Sequence, residues 1–135
     1  MIFYDTGAWV GLSIANDRNA PAARKLHSET SRGAHGSIVT SDFVLDEAAT
    51  LIRMSADVET AARFLRGVMD GTATLIWIDP EHFRNALALL EKHRDKRWSF
   101  TDCTSFVVMR ELGIDRAFSF DRNYEQAGFT RLPRT

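Results

Sequence analysis

Short apolar runs alternate with segments whose hydrophobic positions recur every three to four residues, and the alternation persists along the whole chain. Ile2 to Tyr4 predicts a first strand, and Thr6 to Ile14 a helix behind it. A second helix is expected over about Pro21 to Thr30, with proline in its first turn. Ile38 to Thr40 reads as a short strand, after which Ser41 or Asp42 starts a helix reaching about Met54. The next helix runs from about Asp57 to Met69 and closes at Asp70-Gly71. Val58, Ala61, Ala62, Leu65, Val68 and Met69 share one of its faces, with Arg63 and Arg66 opposite. Thr74 to Ile78 is the clearest strand, and Pro80 opens a helix to about Arg94. Ser99 or Thr101 starts a helix that ends at Leu112-Gly113. Arg116 to Phe120 reads as a strand, Asp121 to Gln126 as a turn or short helix, and Phe129 to Leu132 as a last extended piece. Strands interleaved with helices in this way predict an α/β fold with a mostly parallel sheet.

Composition narrows the class. A chain of 135 residues is the usual size of one domain, and 44% hydrophobic residues suffice for a core without staples. The single cysteine, Cys103, excludes an internal disulfide framework and any cysteine-based metal site. Asp5 follows the first strand without a basic leader, and no apolar run approaches the ~20 residues of a membrane helix. The expectation is a soluble, cytoplasmic protein with no membrane partner. A net charge of −1 gives no global basic field to attract nucleic acid. The local exception is Lys92-His93-Arg94-Asp95-Lys96-Arg97, just before Trp98. It reads either as a solvated helix end or as a rim that contacts phosphate.

The carboxylates carry the candidate chemistry. Asp5 and Asp121 each follow a strand, where capping or turn roles are the ordinary ones. Asp102 ends Ser99-Phe100-Thr101-Asp102, a loose capping box with aspartate in place of the usual glutamate. Stepping the helix that holds Glu47 at about 100° per residue puts Val44, Leu45, Ala48, Leu51 and Ile52 on the buried arc. Glu47 falls at the edge of that arc, while Asp46 and Arg53 fall in water. The same wheel places Asp102 between Phe106 and Met109, facing inward. Buried carboxylates need a counter-charge, yet no lysine follows Lys96 and neither apolar face carries an arginine. A bound divalent cation is the most economical partner. All-oxygen donors, with no histidine pair at ligand spacing, favour Mg²⁺ or Mn²⁺ over zinc.

Four segments carry a resemblance: Ile2-Phe3-Tyr4-Asp5-Thr6-Gly7-Ala8-Trp9, Val44-Leu45-Asp46-Glu47-Ala48-Ala49-Thr50-Leu51, Trp98-Ser99-Phe100-Thr101-Asp102-Cys103 and Phe118-Ser119-Phe120-Asp121-Arg122-Asn123-Tyr124. In order and spacing they resemble the four acidic blocks of PIN domains. Within these the chain resembles the VapC toxins of toxin–antitoxin pairs. The resemblance implies a single three-layer α/β/α domain over residues 1–135, with a central sheet of about five short strands. It also implies a Mg²⁺- or Mn²⁺-dependent endoribonuclease that cuts transfer or ribosomal RNA. Asp5, Glu47, Asp102 and Asp121 would be its catalytic and metal-binding quartet, supported by the hydroxyls of Thr6 and of Ser99 or Thr101. A homodimer and a cognate antitoxin are its implied partners. In that setting Lys96 and Arg97 become candidate RNA contacts, and Trp98 a candidate base-stacking residue or a core residue. Trp9 and Leu12, with the Val58 to Met69 face, are candidates for an interface, although core is the ordinary role for most of them. The alternative is a non-catalytic RNA- or protein-binding module of the same fold. A phosphoacceptor receiver would need paired acids near the N-terminus and a late lysine, and a haloacid-dehalogenase-type phosphatase would need an acid at Gly7; this chain has neither.

Overall fold

The computed structural model describes residues 1–134. Five short strands, β1 (Ile2–Tyr4), β2 (Ile38–Ser41), β3 (Thr74–Ile76), β4 (Arg116–Phe118) and β5 (Thr130–Leu132), form one sheet in the order β3-β2-β1-β4-β5. Every neighbouring pair is parallel, so the sheet expected to be mostly parallel is wholly so. Parallel strands need crossovers. Helices α1 (Thr6–Ser13) and α2 (Ala20–Ser31) join β1 to β2, and α3 (Asp42–Ser55) and α4 (Val58–Gly67) join β2 to β3. The pair α5 (Pro80–Lys92) and α6 (Phe100–Leu112) joins β3 to β4, and α7 (Asn123–Gln126) joins β4 to β5. The result is a three-layer α/β/α arrangement. Among the described residues, no helix is long and apolar enough to cross a membrane.

Strands covered on both faces read as largely apolar runs. Ile2, Phe3 and Tyr4 of β1 and Ala117 and Phe118 of β4 are fully buried, together with Phe106 and Met109 of α6. Trp9 joins this core instead of an interface. Its indole N–H donates to Thr40 Oγ1 at 3.1 Å, and the Thr40 hydroxyl donates to the Tyr4 carbonyl at 3.0 Å. Leu12 also packs against the core, and on the α4 side Ala61 and Val68 are buried while Val58 and Met69 stay exposed.

Two strands are shorter than their hydrophobic runs, for local reasons. The Ile78 N–H donates to Asp42 Oδ1 at 2.8 Å, which draws the chain out of the β3 ladder after Ile76. Beyond Phe118, Ser119 to Asp121 turn into a hydrogen-bonded corner described below. Helix α4 passes into a π-helical turn over Val68–Thr72, where Gly71 at φ 111° takes a conformation that favours glycine.

The strand order also locates the place for a site. From β1 the chain winds outward to β3, then crosses back to lay β4 on the other side of β1. In open α/β sheets ligands bind at the carboxyl ends of strands where the winding reverses. Here that point lies between β1 and β4, whose next residues are Asp5 and Ser119.

Candidate active site

A cleft of about 590 Å³ opens there, and Asp5, Glu47, Asp102 and Asp121 all line it, with Thr6 and Ser99. Asp5 occupies the N-cap position of α1, but its side chain makes no cap hydrogen bond. Instead the Ser119 hydroxyl donates to Asp5 Oδ2 at 2.8 Å and the Tyr124 hydroxyl to Asp5 Oδ1 at 2.9 Å. Asp102 does cap. The Ser99 N–H donates to Asp102 Oδ2 and the Asp102 N–H to Ser99 Oγ, both at 3.0 Å, a capping box built with aspartate. Asp121 is held by its neighbours. Its N–H donates to Ser119 Oγ at 3.0 Å, and its Oδ1 accepts the Asn123 N–H at 2.9 Å.

Burial dominates the electrostatics. Asp5 and Asp102 are 7% and 8% exposed. Desolvation pushes the Asp5 carboxyl up to about 6, against the opposing pull of the Ser119 hydroxyl. Asp102 is also raised, first by burial and further by the charge of Asp121, against its hydrogen bonds to Ser99 and Asn123. Among the described residues none of the four acids forms an ion pair. Beside them the Thr6 hydroxyl is buried with no hydrogen-bond partner among the described residues, an arrangement that ordinarily costs about 1–3 kcal/mol. Desolvated acids and an orphaned hydroxyl at the mouth of a cleft mark a place built for a ligand. An all-oxygen donor set fits a hard divalent cation.

Several expectations need correction. Glu47 does not face the interior. It is exposed on the flank of α3 and meets the cleft from its rim, next to the exposed Leu51. Among the described residues no three His, Cys, Asp or Glu side chains are already gathered as a closed metal cage, and a hard cation held here would complete its shell with water. The four acids share one cleft, with Asp102 and Asp121 joined through Asn123 and Glu47 at the rim. Of the basic run Arg97 lines the cleft, while Lys96 pairs with Asp95 at 3.4 Å. Trp98 is a core residue, with its indole N–H on Gln126 Oε1 at 3.0 Å and its ring 5.1 Å from that of Phe106. Of the two alternative hydroxyls, Ser99 is at the cleft, whereas Thr101 offers its carbonyl to Thr104 and Ser105 within α6.

Sequence reasoning gave no role to Ser119, Asn123 or Tyr124, and it passed over Arg122, which lines the cleft beside Asp121. The only signal was the polar spacing Ser119-Phe120-Asp121-Arg122-Asn123-Tyr124 directly after an apolar strand. The partners lie 114 and 119 residues away at Asp5, so no local pattern could name them.

Residues 2–130 match the PIN domain family model, and the chain belongs to the PIN-domain family. Within that family its likeness is to VapC proteins. It is 30% identical over 132 residues to the 23S rRNA-specific endonuclease VapC20 of Mycobacterium tuberculosis, covering 98% of each chain. The crystal structure of that VapC20, a sarcin–ricin loop cleaving toxin, matches with a TM-score of 0.89 at 28% identity, over 96% of this chain and 97% of the other. VapBC2 from Rickettsia felis, solved bound to a DNA fragment from their promoter, shares the fold with a TM-score of 0.68 at 12% identity, over 97% of both chains.

Proposed function

We propose that this chain is a Mg²⁺- or Mn²⁺-dependent endoribonuclease, the toxin of a VapBC-type pair, acting on ribosomal RNA in the cytoplasm as a single domain. The observation that carries the reading is the pair of desolvated carboxylates, Asp5 and Asp102, which form no ion pair among the described residues and lie beside the Thr6 hydroxyl, itself without a hydrogen-bond partner there. The likeness to a 23S rRNA-specific endonuclease supports the substrate class.

Asp5, Asp102 and Asp121 would hold the cation, with Glu47 reaching in from the rim. Bound there, it would supply the acidification of water and the charge neutralisation that phosphodiester hydrolysis requires. The protein's own groups do the rest. Ser119 and Tyr124 fix the Asp5 carboxylate, the capping box fixes Asp102, and Asn123 ties Asp102 to Asp121. Arg97 and Arg122 flank these acids and offset their repulsion of an approaching phosphate.

An antitoxin and a second copy of the chain are the proposed protein partners. For the second copy, α5 offers Phe83 and Leu87, one helical turn apart and both exposed, and Trp77 beyond β3 is 62% exposed. The testing experiment incubates ribosomal RNA with the wild type, Asp102→Asn and Asp121→Asn, in Mn²⁺ or in EDTA. The reading expects discrete fragments from the wild type in Mn²⁺ alone. Tight RNA retention without cleavage would favour the non-catalytic module.

A further inference from the structure

Asp5 is the most deeply set of the four acids, and both of its carboxylate oxygens are engaged by buried side-chain hydroxyls. The two donors differ in what else they do. Ser119 also accepts the Asp121 N–H, so it belongs to the turn that follows β4. Tyr124 reaches Asp5 from α7, and its ring is fully buried, meeting Phe106 edge-on with centroids 4.9 Å apart and planes at 86°. The edge-on contact fixes the ring without using the hydroxyl. The hydroxyl donates to Asp5 Oδ1 at 2.9 Å and also has the buried Ser105 hydroxyl of α6 as a polar neighbour. A phenylalanine would fill the same space, so packing alone does not account for the oxygen.

Resting on the metal-dependent reading above, we infer that Tyr124 is a positioning residue whose hydroxyl fixes the Asp5 carboxylate for cation binding. Each carboxylate oxygen has capacity for more than one contact. One hydroxyl on each oxygen holds the carboxylate plane in place and leaves acceptor capacity on both for a ligand in the cleft. A carboxylate held by one donor only can rotate about its Cβ–Cγ bond, and cation binding must then also order it. Hydrogen bonds behind a ligating group typically change metal affinity by about 10–100-fold.

The test measures Mn²⁺ binding calorimetrically to the full chain as wild type, Tyr124→Phe, Asp5→Asn and the double variant. Metal-free melting of Tyr124→Phe serves as the folding control. Tyr124→Phe is expected to weaken Mn²⁺ binding by about tenfold or more. Cleavage at saturating Mn²⁺ should recover most of its kcat, and KM for RNA should stay as in the wild type. In the double variant the loss should be no greater than in Asp5→Asn alone, because the hydroxyl acts through Asp5. Mn²⁺ affinity of Tyr124→Phe equal to that of the wild type would overturn the inference while leaving the metal site intact. Additive losses in the double variant would also overturn it, by showing that the hydroxyl does not act through Asp5. A wild type that binds no Mn²⁺ would remove both this inference and the metal-dependent reading.

Discussion

The side-chain amide of Asn123 lies 2.9 Å from Asp102 Oδ2 and 3.3 Å from Asp121 Oδ2, so one residue of α7 bridges two acids that α6 and the post-β4 turn supply separately. Two carboxylates with adjacent charges repel, and Asp121 already raises Asp102. The Asn123 amide gives the two a shared donor, in addition to the capping box at Asp102 and the turn at Asp121. Asn123→Ala should therefore weaken Mn²⁺ binding by about tenfold, with little change in metal-free stability because Asn123 lies near the surface. Calorimetric titration checks this, and unchanged affinity would show the bridge to be incidental.

The raised Asp5 carboxyl predicts an unusual pH response. Its folded value of about 6 lies above the ordinary 3.8, so the native state holds this proton more tightly than the unfolded state. Asp5 therefore costs nothing below about pH 4, costs progressively more as pH rises towards about 6, and reaches a plateau of about 3 kcal/mol. Asp5→Asn removes the titration. Without metal, the melting temperature of Asp5→Asn minus that of the wild type should grow as pH rises from about 4 to about 7. A difference that is flat across this range would contradict the burial argument.

At the cleft rim, the contrast between neighbouring cations is diagnostic. Arg97 and Arg122 line the cleft, whereas Lys96 pairs with Asp95. Replacing Arg97 and Arg122 by alanine should raise KM and lower the log–log salt slope of RNA binding by about 0.7 for each phosphate no longer neutralised. Lys96→Ala should leave both unchanged. Equal effects from Lys96 and Arg97 would restore the whole basic run as the RNA rim.

The exposed Phe83 and Leu87 predict that the oligomeric state depends on α5. Phe83→Asp should shift the protein from dimer to monomer in size-exclusion light scattering, since a stable interface of about 1,200–2,000 Å² tolerates a central charge poorly. A monomeric wild type, or a dimer indifferent to Phe83→Asp, would move the interface elsewhere or remove it.

Much of this was legible in the chain, because local physics writes it there. The buried β1 and the Ala117–Phe118 part of β4 appear as apolar runs, Gly113 at φ 69° closes α6, and the wheel turns Asp102 inward, where it is found. The same wheel left Glu47 on an edge, and helical periodicity cannot tell a buried flank from a cleft rim. Trp9 was offered to an interface because its partner Thr40 lies 31 residues away across the sheet. Asn123 and Tyr124 stood in the fourth block without a role of their own. Their roles arise only when the winding reversal brings β4 beside β1 and sets α7 over Asp5.

Cleavage of purified ribosomal RNA by the wild type and Asp5→Asn, with Mn²⁺ and after EDTA, tests the central claim most directly. The account predicts discrete fragments from the wild type with Mn²⁺, none after EDTA, and a rate for Asp5→Asn lower by about 10²-fold or more. Equal cleavage by the two proteins, or undiminished cleavage in EDTA, would contradict it.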